Sequence, residues 1–141
     1  MVKKLFVGSI LLLIVLIAVF SYVERNKAYA EIINMNWSIK LPSAYKEIYS
    51  VDSEASFHGD GERYHIFEYK NEEKINLSLN WENNKNLAIE STIEKVLNTL
   101  NISKENMPNF QGKYKYYTEE KSDSSKIYLI LVNDMKRLYI I

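Results

Sequence analysis

Apolar positions fall along this chain in three different rhythms, and each rhythm predicts a different kind of element. The first is continuous. After Lys3 and Lys4, residues 5–23 are uncharged and almost wholly apolar, ending at Glu24 and Arg25. Nineteen helical residues at about 1.5 Å each span roughly the ~30 Å of a bilayer's hydrocarbon core, so the run predicts a transmembrane helix. The second rhythm has period two. Trp37, Ile39 and Leu41 alternate with polar residues until Pro42, predicting a first strand at 36–41. Residues 45–51 and 62–69 are rich in tyrosine and β-branched residues and predict two more strands that pair through the intervening turn. Ile75, Leu77, Leu79 and Trp81 alternate strictly with polar neighbours and predict a fourth at 75–81. The third rhythm is helical: Ile89, Ile93, Val96, Leu97 and Leu100 line one face. Two starts compete for that helix, a capping box at Ser91 and Glu94 and a lone cap at Asn86. Beyond Pro108, residues 113–118, 127–132 and 138–141 read as a three-stranded meander, with the apolar carboxy-terminal residues held in the sheet.

These elements predict an α+β fold: an amino-terminal transmembrane helix, then an antiparallel sheet of about six to seven strands with one helix packed on a face. The expected division is residues 1–30 as membrane anchor or signal peptide and 31–141 as one extracytoplasmic domain. At 111 residues that part holds a single core burying about 65% of its unfolded surface.

Charge orients the first element. Lys3 and Lys4 favour an amino terminus inside and a carboxy-terminal domain outside, while Arg25 and Lys27 reduce the asymmetry. Ala28-Tyr29-Ala30 has the small-x-small form that signal peptidases read, so secretion after Ala30 is the alternative to an uncleaved single-pass anchor in the cell membrane. The apolar run exceeds the ~7 to 15 residues of a cleaved signal, and this favours the anchor. With no cysteine in the chain, lipid attachment, disulfides and thiolate chemistry are excluded. Four of the 18 basic and one of the 18 acidic residues precede Glu31, which leaves 14 positive against 17 negative charges in the domain. That balance shows no dense basic face, and nucleic acid is not an expected partner.

One local constellation carries candidate chemistry. His58, Gly59, Asp60, Gly61 and Glu62 combine an Asp-Gly turn signal with polar donors, and Asp52 and His65 flank them. The plain expectation is a β-turn joining two strands and nothing more, and if the domain carries a binding surface this turn is the best candidate for it. The alternative is a divalent metal held by His58, Asp60 and His65, whose nitrogen and oxygen donors suit zinc, serving an envelope hydrolase. Neither H-E-x-x-H nor an EF-hand loop nor a G-x-S-x-G elbow is present, so the chain predicts no standard metal motif, no catalytic residue and no required cofactor. Tyr114, Tyr116, Tyr117, Tyr128 and Tyr139 form an aromatic cluster that suits either cross-strand packing or recognition of a glycan or protein, with packing expected.

The stretch Ser56-Phe57-His58-Gly59-Asp60-Gly61-Glu62, followed by the strand at 64–69, resembles one recurring in small, uncharacterised exported proteins of Gram-positive bacteria. Those proteins are similar also in a short basic start and a single apolar anchor. The resemblance implies location and architecture, not chemistry. The expected function is a non-enzymatic, membrane-tethered domain that binds a protein or glycan of the cell envelope. An immunity protein guarding its host from a toxin is a further alternative.

Overall fold

The computed structural model describes residues 12–18, 28–53, 61–71, 73–76 and 79–141. These fall into two units, Met1–Leu41 and Pro42–Ile141.

In the first unit, residues 12–18 are helical, and their aliphatic side chains are exposed from 51% at Val15 to 62% at Leu12. The rest of the predicted span at 5–23 lies outside the described residues. Among the described residues, no helix is long and apolar enough to cross a membrane. A second helix, α1 (Tyr29–Trp37), follows. It ends where Ser38 takes a left-handed conformation, φ 56°, and returns its N–H to the Asn34 carbonyl. The strand expected at 36–41 is therefore corrected. Trp37 closes a helix whose buried residue, Ile33, lies four positions back, and the three-residue alternation beyond it starts at a helix stop.

The second unit is an antiparallel sheet of five strands: β1 (Tyr45–Asp52), β2 (Arg63–Tyr69), β3 (Lys115–Glu120), β4 (Lys126–Val132) and β5 (Arg137–Ile140). Their order is β1-β2-β5-β4-β3, so the carboxy-terminal strand lies at the centre and joins the first hairpin to the second. His65 stands opposite Ile140 and Phe67 opposite Leu138, while Ile130 stands opposite Tyr139. Ile141 continues the ladder, exchanging both backbone hydrogen bonds with Tyr128 at 2.9 Å.

Helix α3 (Leu87–Thr99) supplies Ile93 and Leu97 to a core shared with Tyr64, Ile66, Ile130 and Tyr139 of the sheet. Its cap is Asn86, whose Oδ1 accepts from the N–H groups of Ala88 and Ile89, each at 3.2 Å. Ser91 lies inside the helix and is exposed. The opposite face of the sheet is buried as well: Phe67, Leu129, Leu131 and Leu138 have no exposed surface.

The strand count is five among the described residues, fewer than expected, and the second correction explains the difference. Residues Glu73–Asn76 form a short helix, α2, where the alternating run predicted strand. The Trp81 indole N–H donates to the Ile75 carbonyl at 3.0 Å. Six residues of strand would hold those two positions about 20 Å apart, so the bond excludes a continuous strand over 75–81, of which 77 and 78 lie outside the described residues. Beyond it, Glu82 makes an isolated bridge to Tyr116 on the outer side of β3.

Candidate functional site

The residues singled out by the sequence gather at the β1–β2 hairpin. His58, Gly59 and Asp60 lie outside the described residues. Gly61 and Glu62 lead into β2, and the base of the connection is pinned by two hydrogen bonds. The Ser53 N–H donates to the Glu62 carbonyl at 2.8 Å, and the Glu62 N–H donates to Ser53 Oγ at 2.8 Å.

His65, buried to 6% exposure in β2, sits between two carboxylates of β1. Its Nδ1 is 2.5 Å from Glu47 Oε1, and its Nε2 is 3.2 Å from Asp52 Oδ1. Strand parity accounts for the convergence. Positions 47 and 52 are an odd number apart and in a regular strand would face opposite sides of the sheet. The register of β1 slips between Glu47 and Tyr49, and the extra residue turns both carboxylates onto the face that carries His65. Asp52 and His65 were legible as candidates from the sequence. Glu47 was not, because a bulge leaves no mark in a hydrophobic pattern.

Chemically this cluster is a clasp. Both ring nitrogens already face oxygen partners, which leaves neither of them directed at an open position where a metal or reacting group could sit. Among the described residues, no group of three or more His, Cys, Asp or Glu side chains is disposed to hold a metal ion.

A second site lies at the other edge of the sheet. The segment 81–86 is stitched to β3 and to the strand's approach. Asn86 donates its backbone N–H to Tyr114 Oη at 3.1 Å and its Nδ2 to Tyr116 Oη at 3.3 Å. Tyr114 in turn donates to Glu90 Oε1 at 2.6 Å, a carboxylate only 8% exposed. Burial first, and then this bond to Glu90, raise the Tyr114 phenol above its ordinary value. Against this wall opens a cleft of about 500 Å³, lined by Asn83, Lys85, Lys113, Tyr114, Lys115 and Asp134 among others. A second hollow of about 630 Å³ shares Asn83 and Lys115 with it and runs on past Trp81 and Glu82. Lys115 Nζ donates to Asn76 Oδ1 at 2.9 Å across this second hollow, and Lys85 Nζ donates to the Phe110 carbonyl at 3.3 Å. The aromatic cluster around this edge is chiefly core: Tyr114, Tyr116 and Tyr139 are buried, while Tyr117 and Tyr128 are half-buried.

Compared with known protein families, curated proteins and solved structures, the chain matches none.

Proposed function

We propose that the chain is a membrane-tethered binding domain of the bacterial cell envelope, held amino terminus inside and carboxy-terminal domain outside, without catalytic activity of its own. The observation that carries this reading is the helix at 12–18, where Leu12, Leu13, Ile14, Val15, Leu16 and Ile17 each expose more than half of their surface. Side chains pointing in every direction around a helix leave it apolar all round, and water disfavours that surface by about 25 cal/mol for each Å². The residues stand within the longer uncharged run at 5–23, and hydrocarbon is the solvent that removes the penalty.

On this reading the envelope partner is a protein or a glycan, and the loop from His58 to Glu62 is a surface offered to it. The carboxylate clasp on His65 fits a binding role, since it ties β1 to β2 in register. The test is the intact mass of the protein recovered from membranes and from culture medium. A full-length species in the membrane, with residues 42–141 digested when protease is added to intact cells, is the expected result. A species beginning at Glu31 in the medium would overturn the tether.

A further inference from the structure

We propose that the cleft at the β3 edge binds a phosphate group, with Lys85, Lys113 and Lys115 as its cationic wall. The site is separate from the hairpin loop and stands whether or not the chain is tethered. Residues 31–141 carry more acid than base, 17 against 14, yet three ammonium groups line this one cleft with a single carboxylate, Asp134. Two cations elsewhere on the sheet are held by carboxylates: Lys126 lies 3.1 Å from Glu120, and Arg137 lies 3.4 Å from Glu68. In the cleft, Lys115 is bonded to a neutral amide, which leaves its charge uncompensated. Lys113 has no hydrogen-bond or ion-pair partner among the described residues, and Lys85 has Glu90 no nearer than 3.9 Å.

Three like charges around one space repel one another, and an anion placed among them reverses the sign of each interaction. Several considerations favour phosphate over a lone carboxylate. Its oxygens point in several directions and can meet several ammonium groups at once, and lysine acts on phosphate as a movable point charge. Asn83 and Asn133 stand beside the lysines, and their amides suit hydroxyl groups on whatever carries the phosphate.

The test uses the full chain in phosphatidylcholine nanodiscs at low ionic strength, followed by amide ¹H–¹⁵N shifts. Glycerol 3-phosphate is added in one arm, and phosphatidylglycerol replaces part of the lipid in the other. Saturable shifts at Gly112, Lys113 and Lys115 are expected, with affinity falling about fivefold in Lys113→Gln. Lys95→Gln, on the exposed flank of α3, is expected to leave the affinity unchanged. A response to glycerol 3-phosphate identifies a soluble phosphate, whereas a response confined to the phosphatidylglycerol discs identifies a lipid headgroup. The absence of saturable shifts in both arms overturns the site, and so does a response that survives Lys113→Gln together with Lys115→Gln.

Discussion

Single side chains here are informative where a polar group is buried. Tyr114 and Glu90 form one such pair, a phenol donating to a carboxylate that has little water to replace it. Tyr114→Phe is expected to destabilise the fold by about 1.5–3 kcal/mol in urea titrations, because the carboxylate loses its closest donor. Tyr69 presents the opposite case. Its hydroxyl is buried with no partner among the described residues, so Tyr69→Phe should leave stability at neutral pH unchanged or raise it by up to about 1 kcal/mol. Both this phenol and those of Tyr64 and Tyr139 are pushed up from the ordinary value of 10.0, desolvation being the first cause in each. An unfolded chain releases these protons near pH 10 while the native one keeps them. Native stability from this source is thus complete below pH 10 and declines as pH rises beyond it. Thermal melts between pH 8 and 12 should show that decline, made shallower by Tyr69→Phe. A decline equally steep in the variant would remove Tyr69 from the explanation.

Among the elements, helix α3 was the most legible, since five apolar residues at spacings of three and four leave little choice of period. What the pattern left open was its first turn, and Asn86 rather than Ser91 caps it. Asn86→Ala is expected to cost about 1–2 kcal/mol, because it removes the acceptor for two backbone N–H groups and a donor to Tyr116. Ser91→Ala, within the helix, should change stability by no more than about 0.5 kcal/mol. Equal losses in the two variants, measured by chemical denaturation, would place the cap wrongly. The two strands that failed did so for one reason. Alternation at 37–41 and 75–81 records side-chain chemistry only, while Ser38 and the bond from Trp81 to Ile75 decide which way the backbone travels. The candidate site was legible to the same extent. Asp52 and His65 stand close in sequence and were visible, whereas Glu47 needed the bulge, and the lysine cleft assembles from three distant stretches around 83–85, 112–115 and 133–134.

For the whole molecule, the decisive fact is the neighbour list of β5. It pairs with β2 on one side and β4 on the other, so among the described residues it alone belongs to both halves of the sheet. Removing residues 137–141 would strip partners from both neighbours and open the core at Leu138 and Tyr139. The shortened chain is expected to lose cooperative unfolding and near-ultraviolet circular dichroism altogether. Retention of a cooperative transition without β5 would mean that the two hairpins are stable separately.

That central strand also sets the order of events in the life of the chain. A growing polypeptide can close the 45–69 hairpin early, but the sheet has a gap at its middle until residue 140 has emerged from the ribosome. For a domain of this strand order the native core closes late, because Leu138 and Tyr139 are buried only when β5 has a hairpin on either side of it.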